Sequence, residues 1–191
     1  MNESEIKEIF KEKGALQTGH FILNSGLHSE QYIQCARVLQ HPDLARRLGA
    51  NLAEKFSHRE VDVVIGPAVG GITLSFAVGL ALDCRAIFTE KSEEGMKLRR
   101  SFDIYSDEKI LVVDDVFTTG NSIKEVMKTI QAQGGKTIGG GVLVDRSKDK
   151  TEEFEVPIKS LIDLNLKTYS PKKCPMCRDG DPGIQPGSTS G

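Results

Sequence analysis

Asp114 and Asp115 close an apolar run that begins at Ile110, and within a few residues the chain turns from acid to donor. Val116 and Phe117 lead into Thr118, Thr119, Gly120, Asn121 and Ser122. The two halves of this stretch want opposite partners. The hydroxyls of Thr118, Thr119 and Ser122, a glycine that lets the backbone bend close to a ligand, and the unpaired N–H groups of a helix opening near Asn121 or Ser122 make an anion cradle suited to a phosphate. A helix cap accounts for one of these residues, not for all of them together. Two carboxylates beside a bound phosphate would repel it unless something lay between them. A sugar phosphate resolves the conflict, because its vicinal hydroxyls donate to the carboxylates while its phosphate fills the cradle. A divalent metal is a second partner that such carboxylates could hold, partly through water.

The flanking pattern says how these residues are positioned. Ile6, Ile9 and Phe10 repeat with a helical period that stops at Gly14, and Leu44, Leu48 and Leu52 do the same from Pro42 to about Phe56. "HFILNSG" and "SEQYIQCARVL" read as short strands around a Ser-Gly turn. From "VDVVIGPA" onward, β-branched runs alternate with helices: "GGITLSFAVGLAL" is a helix, "RAIFTE" a strand, "KSEEGMKLRR" a polar loop, "KILVVDD" a strand and "SIKEVMKTIQAQGG" a helix. "KTIGGGVLVDRS" and "IKSLIDLN" are the last strands. Near-continuous Val, Ile and Leu strands separated by helices predict an α/β fold with a mostly parallel sheet covered on both faces. In such sheets ligands bind outside the carboxyl ends of the strands. The turns "GPAVGG", "DDVFTTGNS" and "DRS" all follow strands, so they are expected to converge on one edge. Gly139 to Gly141 lie inside a predicted strand and read as a bend or close packing.

"ILVVDDVFTTGNS" resembles the binding signature for phosphoribosyl pyrophosphate (PRPP) in the type I phosphoribosyltransferases. It is not the P-loop of nucleoside triphosphatases, whose G-x-x-x-x-G-K-[ST] pattern occurs nowhere in the chain. The resemblance implies the type I fold, a twisted, mostly parallel sheet flanked by helices with a small N-terminal hood. It implies that Asp114 and Asp115 hold the ribose hydroxyls and that Val116 to Ser122 hold the 5′-phosphate. "GPAVGG" is similar to the family's pyrophosphate loop, so Ala68, Val69, Gly70 and Gly71 join the PRPP contacts. Within the family, "GHFILNSGLHSEQYIQ" resembles the hood of the orotate-using enzymes, and "DRS" the strand end where they place an arginine on orotate. Orotate is an aromatic carboxylate, so its site wants a bidentate cation and a flat apolar face. Arg146 supplies the first and Tyr32 the second, and Thr118 is implied to approach both substrates.

The implied reaction transfers a phosphoribosyl group from PRPP to N1 of orotate, giving orotidine 5′-monophosphate and pyrophosphate in pyrimidine synthesis. Asp114 and Asp115 are the implied catalytic acids. Lys91 matches a basic position of the family's mobile loop, and Lys97, Arg99 and Arg100 supply the remaining loop charge. Mg²⁺ bound with PRPP, a homodimer and a loop donated by the second subunit are further implications. The chain departs from the family pattern at Gly70 and Asn24, where many orotate enzymes carry lysine, and in a loop without histidine. The alternatives are a purine or xanthine phosphoribosyltransferase and a non-catalytic PRPP-sensing regulator.

With 191 residues the chain fits one phosphoribosyltransferase domain over 1–170, with a hood over about 1–40 and a core over about 41–170, followed by an irregular tail over 171–191. A formal charge of −2 gives no basic excess for nucleic acid. No apolar run approaches membrane length and the N-terminus is not a secretory signal, so a cytoplasmic place is expected. Cys35 and Cys84 lie in predicted buried elements. His20, His28, His41 and His58 are scattered, with His28 the best placed for a ligand or acid role. Cys174 and Cys177 form "CPMC", which is half a zinc site. Paired subunits or further ligands could complete it, but two ordinary tail cysteines is the favoured reading, and no metal ligand is assigned.

Overall fold

The alternating apolar runs form the sheet they predict, seen in a computed structural model that describes residues 1–23, 25–147 and 150–186. Helix α1 (Glu3–Glu12) starts at Asn2, whose side chain accepts from the Glu5 N–H while the Glu5 carboxylate accepts from that of Asn2. Strands β1 (Leu16–Ile22) and β2 (His28–Ile33) form an antiparallel hairpin. Two helices follow, α2 (Ala36–Leu39) and α3 (Pro42–Glu54), the second with proline in its first turn. The chain then runs through β3 (Val63–Pro67), α4 (Gly70–Leu82), β4 (Arg85–Ser92) and β5 (Gly95–Leu98). Beyond these lie β6 (Lys109–Phe117), α5 (Asn121–Ala132), β7 (Lys136–Asp145), β8 (Ile158–Asp163), β9 (Thr168–Tyr169) and α6 (Pro175–Arg178).

The main sheet has the order β5-β4-β3-β6-β7-β8, parallel at every pairing except β4 with β5. Successive side chains of the central strand β6 feed opposite cores. Leu111 and Val113 pack with Leu48, Leu52, Leu74, Val78 and Leu143, under α3 and α4. Ile110 and Val112 pack with Ile65, Ile123, Val126, Ile130 and Val142, under α5. Both faces are therefore dry, which is why the strands read as continuous apolar runs.

Four differences from the sequence reading have physical causes. "ARVL" is the short helix α2, not the end of a strand, because a segment of four residues is too short to reveal a period. "EKSEEGMKLRR" is largely a hairpin. Thr89, Glu90, Lys91 and Ser92 pair with Leu98, Lys97, Met96 and Gly95, so backbone bonding orders a segment whose composition looks like a loop. The hood draws on both ends of the chain, with sheet order β1-β2-β9, while Ile6 and Phe10 of α1 and Val38 of α2 belong to the main core. The tail beyond residue 170 carries a 3-10 turn and α6 within its described part. Cys35 is buried and Cys84 half-buried. Asn24 lies outside the described residues.

Candidate active site

Parallel strands β3, β6 and β7 deliver their following loops to one edge of the sheet. Asp114 and Asp115 sit near the end of β6, Asp114 buried and Asp115 nearly so. The Asp115 N–H donates to Asp114 Oδ1 at 2.9 Å, holding the two carboxyls together. Loss of hydration, followed by the Asp115 charge, pushes the Asp114 carboxyl up to about 8, and burial raises Asp115 as well. No lysine or arginine figures among the influences on either group. Burial therefore disfavours the charged form of this pair, which a ligand supplying donors or positive charge would favour.

The loop behind the pair is open to an anion. Gly120 takes φ +73° at the N-cap of α5, no side chain caps the helix, and its first turn carries no acid. Thr118, Thr119, Asn121 and Ser122 are exposed around that end. The first-turn N–H groups and the positive helix end are thus free of a side-chain cap, so neither Thr119 nor Ser122 caps the helix. The Phe117 side chain is buried against Phe154, with ring centroids 5.5 Å apart, so a contact with ligand there would come from its backbone. Val116 is half-buried against the core.

The loop after β3 meets the acid pair directly. A Cβ built on Gly70 would lie 2.8 Å from Asp115 Cγ, so any side chain at this position must displace the carboxylate. The Ala68–Val69 peptide is cis, Val69 is 83% exposed, and α4 begins without a side-chain cap or an acid in its first turn. Its first N–H groups are left without a side-chain cap, as those of α5 are. An open cleft of about 510 Å³ runs from here to α2, lined by Gln34, Gln40, Val69, Gly70, Thr73 and Asp115.

Arg146 follows β7, and its N–H donates to the Phe117 carbonyl at 2.8 Å, which sets Arg146 beside Thr118. Its Nε is buried without a hydrogen-bond partner, and burial lowers its guanidinium. The other orphaned side-chain atoms among the described residues are Thr89 Oγ1 and Ser147 Oγ. Thr89 pairs with Pro67 at the end of β3 and Ser147 follows β7, so all three lie toward the same sheet edge. Buried polar groups of this kind call for a ligand or water. Tyr32 reaches the site from β2. Its ring packs on Phe21 at 5.6 Å between centroids, burial raises its phenol, the Asp115 charge raises it further, and the Arg146 charge lowers it. The site therefore joins the acid pair, both loops, Arg146 and Tyr32.

The four basic residues expected from the mobile loop are arranged otherwise within the chain. Arg100 pairs with Glu90 at 2.7 Å, Arg99 approaches the same carboxylate at 3.8 Å, and Lys97 pairs with Glu94 at 2.5 Å. Lys91 is exposed opposite Met96. These charges stand on the β4–β5 hairpin at the sheet's edge, and the glutamates of that hairpin hold three of them. Sequence reasoning missed Thr89, whose position at the ligand edge depends on strand register. It also missed Cys35, whose thiol donates to the Asp115 carbonyl at 3.8 Å across a helix boundary that the sequence does not mark.

The phosphoribosyl transferase domain family matches residues 34–168. A relative named orotate phosphoribosyltransferase from Caldanaerobacter subterraneus is 45% identical over 188 residues, covering 98% of each chain. One of the same name from Desulforamulus reducens is 47% identical with the same coverage. Among solved structures, orotate phosphoribosyltransferase from Aeropyrum pernix superimposes with a TM-score of 0.71 at 27% identity, covering 83% of this chain and 93% of that one.

Proposed function

The chain belongs to the phosphoribosyl transferase domain family and, within it, to the orotate phosphoribosyltransferases, and on that premise we propose how its site moves a phosphoribosyl group from PRPP to N1 of orotate. The products are orotidine 5′-monophosphate and pyrophosphate, in pyrimidine synthesis. Asp114 and Asp115 accept hydrogen bonds from the ribose hydroxyls. Thr118 to Ser122 and the start of α5 hold the 5′-phosphate. Ala68 to Gly71 and the start of α4 hold the pyrophosphate. As the bond from the ribose C1 to pyrophosphate opens, positive charge grows on the sugar beside the ionised acid pair. Negative charge grows on the leaving group at the α4 terminus, where fixed N–H dipoles meet it without reorganising. Orotate N1 then takes the C1 position. Tyr32 and Arg146 fix the ring and its carboxylate on the opposite side.

The buried carboxylates fit a Mg²⁺ ion bound with PRPP, since they offer hard oxygen donors beside the proposed pyrophosphate loop. When bound, the ion supplies charge neutralisation for the pyrophosphate.

A homodimer completes the proposal. Phe76 and Leu80, one turn apart on α4, are 67% and 61% exposed, an apolar stripe that a second subunit would cover. In that assembly the β4–β5 hairpin serves the partner's site, and Lys91, Lys97, Arg99 and Arg100 supply charge to pyrophosphate there. Among the described residues no helix is long and apolar enough to cross a membrane. The four free cysteines suit the reducing cytoplasm, where we place the enzyme.

The observation that carries base recognition is the buried, unpartnered Nε of Arg146. Replacing a bidentate charged contact should cost about 1.5–3 kcal/mol. Arg146→Ala is therefore expected to raise the orotate KM roughly 10- to 100-fold while changing the PRPP KM little. Steady-state kinetics with each substrate varied in turn reads this. An unchanged orotate KM would remove Arg146 from the base subsite.

A further inference from the structure

Outside the reaction site, four side chains from distant parts of the chain point their donor atoms at one another. His20 lies in β1, His28 opens β2, and Cys174 and Cys177 flank and enter α6. His20 lies where the β1–β2 register shifts, between Thr18 and Phe21, and its ring meets that of His28 with centroids 4.8 Å apart. Cys174 sits at the N-cap of α6 and Cys177 within it, which turns both sulfurs toward these rings.

The donor atoms stand near the spacing of a metal tetrahedron. His20 Nε2 and His28 Nδ1 are 2.7 Å apart. Cys174 Sγ lies 3.6 Å from His20 Nε2, and Cys177 Sγ lies 3.8 Å from His20 Nε2 and 3.3 Å from His28 Nδ1. All four donors fall within 4.8 Å of one another. Zinc bonds of about 2.3 Å to sulfur and about 2.0–2.1 Å to nitrogen imply tetrahedral edges of about 3.3–3.8 Å, so these sulfur–nitrogen contacts already match a metal site and the nitrogen pair must open. A hydrogen bond between the imidazoles explains that single pair and leaves the convergence of both sulfurs unexplained.

The surroundings fix the tautomer that a metal requires. His20 Nδ1 lies 2.9 Å from the Asp181 carbonyl, a bond in which the ring nitrogen must donate, leaving Nε2 with its lone pair directed into the cluster. Asp181 Oδ1 stands 3.5 Å from the same nitrogen, a carboxylate behind the ligand histidine. His20, His28 and Cys174 are buried.

We propose that His20 Nε2, His28 Nδ1, Cys174 Sγ and Cys177 Sγ bind one structural zinc ion that fastens the C-terminal segment to the hood. The ion closes a joint the backbone already begins. The Ile22 N–H donates to the Ile184 carbonyl and the Ile184 N–H to the His20 carbonyl, each at 2.8 Å, and β9 adds to β2. With four protein ligands the site keeps no open position, which is the structural and not the catalytic form. Tyr32 lies four residues after His28 on β2, so the ion also steadies the strand that carries the proposed base contact.

The full chain, produced without a metal-affinity tag and kept reduced, is expected to contain about one zinc per chain by mass spectrometry of the metal. His28→Ala and Cys177→Ser should abolish this, whereas Cys84→Ser should retain it. Chelator-treated protein should take up one Co²⁺ with the visible bands of a tetrahedral site and sulfur-to-metal charge transfer. Its melting temperature should fall on chelation and recover with zinc. A wild-type chain that holds no zinc and gives no such cobalt spectrum would overturn the proposal. So would full metal content in the two ligand variants, or a Cys174–Cys177 disulfide in the reduced preparation. A several-fold rise in orotate KM on zinc removal is a further expectation that rests on the active-site reading, and the metal measurements stand apart from it.

Discussion

Two carboxylates buried side by side make each other harder to ionise, and Asp114 and Asp115 carry that cost into the free enzyme. The unfolded Asp114 carboxyl titrates near 3.8 and the folded one near 8, so between these values folding takes up a proton. The stabilising contribution is complete at acid pH and is lost as pH rises through that window. Asp114→Asn is therefore expected to raise the melting temperature at pH 8, by on the order of a few kcal/mol of stability, and to change it little at pH 4. The same variant should lose at least about 100-fold in turnover, because an amide cannot reproduce a charged acceptor. Thermal melts at the two pH values, together with an assay, check both signs. In the wild type, ribose hydroxyls and magnesium favour the ionised pair, so PRPP binding should release protons, which calorimetry in buffers of different ionisation enthalpy measures. Asp114, Asp115 and the donor run behind them were legible because their chemistry is written in adjacent residues. Arg146 was legible by resemblance, while its unpartnered Nε is a property of burial and appears only in the fold.

At the scale of the element, the opening of α5 carries the proposed phosphate site and depends on Gly120. Its φ of +73° is a left-handed conformation, and a Cβ there would lie 2.6 Å from the Phe154 ring and 2.9 Å from that of Phe117. Gly120→Ala should destabilise the fold by roughly 1 kcal/mol or more and raise the PRPP KM more than the orotate KM, since the strain displaces the loop. Denaturant titration and kinetics separate the two effects, and an unchanged PRPP KM would dissociate this loop from the 5′-phosphate. The buried parallel strands were readable as Val, Ile and Leu runs because both faces of the sheet are dry. The β4–β5 hairpin was not, since Lys97 on the edge strand β5 and Glu94 in the turn before it carry the polarity of a loop. Two-residue β9 offers no pattern at all, and the histidine–cysteine cluster joins residues whose separation in sequence hides it.

For the whole molecule, the exposed Phe76 and Leu80 and the charged hairpin underlie the proposed dimer, whose hairpins would cross to the partner's site. Mixing tests it. Asp115→Asn and the triple variant Lys97→Ala, Arg99→Ala, Arg100→Ala should each be nearly inactive alone, yet their mixture should recover about one quarter of wild-type activity after subunit exchange, because half the dimers then carry one intact site. Absence of recovery in exchanged dimers would keep the hairpin with its own chain. The hood was foreseen as an N-terminal unit, but it recruits β9 and the segment around α6, and only closure of the whole chain brings those ends together. The most direct test of the account is a base panel. Wild type and Asp115→Asn are each given Mg²⁺ and PRPP with orotate, uracil, adenine, hypoxanthine or xanthine in separate reactions, and nucleotide formation is followed. The account predicts orotidine 5′-monophosphate from wild type with orotate alone and almost none from the variant. Turnover with a purine in place of orotate, a silent wild type, or an undiminished variant would contradict it.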